Sequence, residues 1–281
     1  MEQGTLTLGG VRIAWKHRPG ASETAPAMVW LGGWRSDMEG GKALALDALA
    51  RSRGWQMLRH DYSGHGASGG SIVEGTISRW TDESLAVLDA RLPAPAPVLL
   101  CGSSMGAWIA LRLAAALRAR GEGGRLLGLL LIAPAPDFVT RLMEPNLTDA
   151  ERDALASHGR FEEPSEYSDE PNVWTAEFMS DGKEAAVLTG PLSIGAPVHI
   201  VQGTNDAEVP LSHAETLLSH LPDDEAAMTV VRGGDHRLSR PEDLALIARL
   251  AASMVEAAER TDGAAPGAVR QPCRPPSPGA S

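Results

Sequence analysis

Three short stretches carry residues that could together transfer an acyl group: Gly102-Ser103-Ser104-Met105-Gly106, Gly203-Thr204-Asn205-Asp206 and Gly233-Gly234-Asp235-His236. A serine hydroxyl is a weak nucleophile at neutral pH. It needs a base to take its proton, and the base needs a partner to hold its ring. Ser104, His236 and Asp206 are the candidates for these roles. An apolar run, Val98-Leu99-Leu100-Cys101, leads into Gly102, and an amphipathic stretch follows Ser104 at once. A tight strand-to-helix turn of this kind pushes its central serine into the open. The flanking glycines suit it because side chains there would collide with neighbouring backbone. The free N–H groups of the helix start favour a developing alkoxide.

The same five-residue pattern occurs at Gly66-Ala67-Ser68-Gly69-Gly70, but in a Gly/Ser cluster with no apolar periodicity after it. Ser68 is therefore expected to be a loop residue. Beyond Ser104, by contrast, Met105, Trp108, Ile109, Leu111, Leu113 and Leu117 recur at helical spacing. Asp235 adjoins His236, and chain neighbours point apart, so it is a poor orienting group. Glu208, two residues beyond Asp206, is a second candidate for that acid. His60 and His65 flank Asp61-Tyr62-Ser63-Gly64 ahead of the serine and are expected to shape a turn. No H-x-x-x-H or C-x-x-C spacing occurs, so no metal site is expected.

A tetrahedral intermediate also needs donors for its oxyanion. The N–H of Met105, the residue after the nucleophile, is one. The other is assigned to Trp34, in the loop Leu31-Gly32-Gly33-Trp34-Arg35, with Gly33 letting the backbone turn inward. Gly33, Trp34 and Met105 would thus line the acyl group. The Trp34 side chain has two options, facing the acyl pocket or packing on a covering segment.

The elements that must position these groups alternate. Strand-like runs fall near 5–8, 11–16, 27–31, 55–60, 98–101, 126–132, 198–202 and 228–231. Helical patterns fall near 42–51, 78–91, 105–120, 212–220 and 241–259. Strands alternating with helices imply a mostly parallel sheet of about eight strands with helices on both faces. The first two runs are close enough to pair as an antiparallel hairpin at one edge. With the chain order Ser, Asp, His, this predicts an α/β-hydrolase fold. Residues 1–136 and 195–260 form its core. Residues 137–194 are acidic, broken by prolines and without a clear strand, and read as a small cap over the carboxyl edge of the sheet. Residues 261–281, dominated by Gly, Ala, Pro and Ser, read as a disordered tail.

Composition narrows the partners. The 281 residues carry a net charge of −11, which argues against nucleic acid or an anionic membrane surface. No apolar run reaches the roughly 20 residues of a membrane span. The two cysteines, Cys101 and Cys273, lie in unrelated contexts, which fits a reducing compartment rather than a disulfide framework. The first residues show no signal-peptide pattern, so a cytoplasmic location is expected. Nothing in the sequence signals an oligomeric state.

Four phrases together carry a family resemblance: Trp34-Arg35-Ser36-Asp37-Met38-Glu39-Gly40-Gly41-Lys42-Ala43, Asp61-Tyr62-Ser63-Gly64-His65-Gly66-Ala67-Ser68, Gly102-Ser103-Ser104-Met105-Gly106-Ala107-Trp108 and Asp235-His236-Arg237. The chain resembles the abhydrolase-domain family that includes mitochondrial palmitoyl-protein thioesterase and mycophenolic acid acyl-glucuronide esterase. The likeness runs from about Met28 to Val255, with Pro164-Ser165-Glu166-Tyr167-Ser168 inside it. It implies that Ser104, Asp206 and His236 form the triad, and that acyl thioesters and activated esters are hydrolysed without an added cofactor. Gly32 stands where the family has proline and Met105 where it has leucine. The Ala-, Arg- and Gly-rich composition suits a bacterial relative. The expected function is hydrolysis of a small-molecule carboxylic ester or thioester through an acyl-Ser104 intermediate. The alternatives are an acyltransferase or carbon–carbon bond hydrolase on the same triad, or a ligand-binding member of the fold without catalysis.

Overall fold

The computed structural model describes residues 1–165, 170–222 and 224–262. Glu166–Ser168 of the resemblance, Cys273 and residues 263–281 of the expected tail lie outside the described residues. The chain opens with β1 (Glu2–Leu8) and β2 (Val11–Arg18), which pair antiparallel around the turn glycines Gly9 and Gly10. There follow β3 (Ala27–Leu31), α1 (Gly41–Arg53), β4 (Gln56–His60), α2 (Ile77–Arg91), β5 (Val98–Ser103), α3 (Met105–Ala119) and β6 (Leu126–Ile132). With β9 (Val198–Gly203) and β10 (Ala226–Val231) from the later chain, the main sheet has eight strands in the order β1-β2-β4-β3-β5-β6-β9-β10. The pairs β1/β2 and β2/β4 are antiparallel, and the rest are parallel.

The central strands are buried on both faces, which is why they read as continuous apolar runs. Their side chains still alternate. Val29, Leu31, Leu100 and Leu131 face α2 and α3, packing with Trp80, Leu88 and Trp108. Met28, Trp30, Leu99 and Leu130 face the other way, onto Leu46 and Ala50 of α1 and Ile247 and Val255 of α7 (Pro241–Asp262). Helix α7 runs two residues past the point where the tail was expected to begin.

Residues 137–194 leave the end of β6 and hold a π-helical turn (Val139–Met143), α4 (Asp149–His158), β7 (Arg160–Glu163), β8 (Asn172–Thr175) and α5 (Ala176–Glu184). The expectation of no strand here is corrected, because β7 and β8 pair as a two-stranded antiparallel sheet. Each strand is only four residues long, and Phe161 opposite Trp174 is its one buried pair. That is too little alternation to register as a strand pattern. The insertion does not build a core of its own. Phe161, Trp174 and Phe178 belong to the same apolar cluster as α2 and α3. Its ends are stapled by the buried Asp137 carboxylate, which accepts the N–H groups of Val187 (2.8 Å) and Leu188 (2.7 Å). The Trp108 indole N–H and Arg112 donate to the Ala185 carbonyl at 3.1 and 2.9 Å.

After the insertion come β9 (Val198–Gly203), α6 (Leu211–Ser219) and β10 (Ala226–Val231), before α7. The parallel strands β5, β9 and β10 end at the same edge, so the loops that follow them converge.

Candidate active site

Ser104 sits between β5 and α3 with φ 54° and ψ −120°, a conformation non-glycine residues rarely adopt. Two close approaches impose it. A Cβ on Gly106 would lie 2.1 Å from the Leu31 carbonyl oxygen, and one on Gly102 would lie 2.4 Å from that of Gly106. The turn is also tied to the neighbouring strand, since the Ser104 N–H donates to the Ile132 carbonyl at 2.9 Å. The hydroxyl is thereby held clear of the sheet.

It meets His236. The Ser104 hydroxyl lies 3.0 Å from Nε2, and Nδ1–H of the same ring donates to Asp206 Oδ2 at 2.8 Å. An ionised carboxylate can only accept, so it holds the proton on Nδ1 and leaves the Nε2 lone pair facing the serine. Burial pushes the Asp206 pKa up. The hydrogen bond from His236, its charge, and the donors Val209 N–H and Gln202 Nε2 more than offset this and hold the carboxyl below its ordinary value. The two loops are fastened to each other. Asn205 N–H donates to the Gly234 carbonyl at 2.8 Å and Gly233 N–H to the Thr204 hydroxyl at 2.8 Å, while Lys42 Nζ, on α1, donates to the Arg237 carbonyl.

The remaining candidates separate cleanly. Glu208 does not hold Nδ1; its Oε2 lies 3.6 Å from the opposite nitrogen, Nε2. Asp235 accepts the Leu238 N–H at 2.9 Å. Ser68 is structural: its hydroxyl donates to the Asp61 carbonyl (2.6 Å) and accepts from Ala14 N–H (2.8 Å). The Asp61 carboxylate ties two loops by accepting from Met38 and Ala67 N–H groups. His60 and His65 are buried behind it, and burial lowers the pKa of each to about 4.

The loop after β3 passes against the serine: a Cβ on Gly33 would lie 3.3 Å from the Ser104 Cβ. Met105 is the first residue of α3, so its N–H has no acceptor within the helix. The Trp34 side chain takes the second of its two options. Its indole stacks on Trp174 (ring centroids 4.3 Å apart, planes 24°) and donates to Asn172 Oδ1 at 3.0 Å. Arg35 donates to the carbonyls of Glu170 and Pro171, both at 2.9 Å. The loop beside the serine is thus fastened to the β7–β8 hairpin.

Sequence reasoning missed Gln202, Asn172 and Trp174. Gln202 is buried near the end of a strand that holds only one other polar side chain, the half-buried His199, and that polar intrusion was its signal. Nothing local marked Asn172.

Residues 25–246 match the sequence profile of the Alpha/beta hydrolase family. The chain belongs to this family. Among relatives of the hydrolase, the mitochondrial palmitoyl-protein thioesterase ABHD10 of Mus musculus is 28% identical over 236 residues, covering 84% of this chain and 76% of that protein. The structure of that mouse protein superposes with a TM-score of 0.79 at 26% identity, over 92% of this chain and 99% of the other. A putative hydrolase from Agrobacterium vitis S4 is 50% identical with a TM-score of 0.87, over 90% of this chain and 98% of the other. Among the described residues, no helix of the hydrolase is long and apolar enough to cross a membrane.

Proposed function

We propose that this alpha/beta hydrolase cleaves carboxylic esters and acyl thioesters through an acyl-Ser104 intermediate. The observation that carries this reading is the unbroken line Ser104 Oγ, His236, Asp206, with spacings of 3.0 and 2.8 Å. His236 Nε2 takes the Ser104 proton as Oγ attacks the acyl carbon. The oxyanion that forms is held by the N–H groups of Met105 and Trp34, with Gly33 giving the loop room beside the serine. The imidazolium then returns its proton to the departing oxygen or sulfur, and a water activated by the same nitrogen hydrolyses the acyl-enzyme. Asp206 keeps the tautomer and stabilises the imidazolium. Residues 137–194 serve as a cap that shields the acyl-enzyme. The ABHD10 relative is named as a thioesterase acting on palmitoyl-protein, which supports including thioesters among the substrates.

The test is turnover of p-nitrophenyl acetate, octanoate and palmitate beside palmitoyl-CoA. The wild type should turn over at least one of these, and Ser104→Ala should lose about 10⁴-fold or more while keeping its circular-dichroism spectrum. Residual activity in that variant close to wild type would remove Ser104 from the mechanism.

A further inference from the structure

We propose that Glu208 selects substrates by the charge of their leaving group, favouring cationic over anionic ones. The inference rests on the serine-hydrolase reading above and adds a substrate class to it. Glu208 Oε2 lies 3.6 Å from His236 Nε2, the nitrogen that the Ser104 hydroxyl also meets. The fold imposes this position. Asp206 Oδ1 accepts the N–H groups of both Glu208 (3.1 Å) and Val209 (2.8 Å), so the carboxylate that orients the imidazole also fixes the backbone that carries Glu208. Val209 is buried, which leaves the Glu208 side chain to reach round the ring to its far nitrogen. That side chain is 40% exposed, while Asp206 is fully enclosed. One acid holds the base from behind, and the other stands beside the atom that hands over the proton.

The direction of the effect follows from where a leaving group must go. The departing oxygen or sulfur takes its proton from Nε2 and must come within hydrogen-bond distance of it. A charge two or three bonds farther along the leaving group then lies roughly 5–8 Å from the Glu208 carboxylate. At that range, with a dielectric between bulk water and a protein surface, one unit charge changes the rate by about tenfold. A cation is drawn in, and a carboxylate or phosphate close to the scissile bond is repelled. The acyl half of the substrate lies on the other side of Ser104 and escapes this discrimination.

Butyryl thioesters keep the acyl half constant while the thiol half changes charge: thiocholine is cationic, N-acetylcysteamine neutral and 3-mercaptopropionate anionic. The readout is the ratio of kcat/KM for the thiocholine ester to that for the mercaptopropionate ester, each first divided by that ester's rate of hydroxide-catalysed hydrolysis, which removes the difference in thiol acidity. The two esters differ by two unit charges, so the wild type should show a ratio of about a hundred at low salt. The ratio should shrink at about 1 M salt, where the screening length is about 3 Å. Glu208→Gln keeps the shape without the charge and should bring the ratio near one; Glu208→Ser serves if that variant does not fold. A wild-type ratio near one, or a ratio unchanged in Glu208→Gln, overturns the assignment. Failure of all three thioesters together with the p-nitrophenyl esters is a different result, and it overturns the hydrolase reading itself.

Discussion

At the residue scale the decisive contact is the one His236 makes away from the serine. Asparagine at position 206 can present its amide to Nδ1 as either donor or acceptor, and the Gln202 and Val209 donors already crowd that side. The ring can then settle in the tautomer that points a proton, not a lone pair, at Ser104. Asp206→Asn should therefore lower kcat by about 10⁴-fold with little change in KM, as loss of a triad acid does elsewhere. Steady-state kinetics on a p-nitrophenyl ester would show it, and a drop below tenfold would mean that another acid orients the ring. Ser104, His236 and Asp206 were legible as candidates because each follows an apolar run closely, the first two in glycine-rich phrases and the third in a short polar turn before Val209-Pro210. The place of Glu208 was not. Its distance from Nε2 depends on how two loops, joined through Asn205 and Gly234, fold across each other, and spacing along a chain does not encode that.

At the scale of elements, the main-sheet strands and the helices were readable, since continuous apolar runs and helical periodicity mark a doubly wound sheet strongly. The hairpin β7–β8 was not, because its stability comes from docking rather than from its own pattern. Trp174 gains a packing face only once Trp34 arrives from the loop after β3, with Phe138 and Phe178 of the same insertion closing round it. The indole of Trp34 is the joint between hairpin and active-site loop, and Asn172 is its polar anchor. Asn172→Ala should lower kcat by about tenfold, a fraction of the 10²–10³ that full loss of an oxyanion donor costs, with KM nearly unchanged. Asn172→Asp, which retains an acceptor at the same reach, should recover most of it. If kcat holds in Asn172→Ala and only the melting temperature falls, the contact is structural alone.

For the whole molecule, the buried neutral histidines set a lower limit on pH. His60 and His65 are pushed down to about 4 by burial, whereas in an unfolded chain a histidine titrates near 6.5. Between those values the unfolded state binds more protons than the native one, so stability falls as pH drops from about 6.5 to about 4. Each shift corresponds to roughly 3 kcal/mol when fully expressed, a large part of the 5–15 kcal/mol typical of folded proteins. Asp206, whose pKa is depressed, adds its own loss only below the ordinary carboxylate range. Urea midpoints should decline steeply from pH 7 to pH 4.5, and His65→Gln should flatten the slope. Equal midpoints at the two pH values would contradict the buried-histidine account.

The indole of Trp34 is held by the hairpin, while its peptide stands in the loop that passes Ser104. One residue thereby couples the covering segment to the donor proposed for the oxyanion. Under the function proposed above, a change that loosens Trp174 or Asn172 would be felt beside the serine without any displacement of the triad. The cover would then act as a tuning screw on the chemistry as well as a roof over it.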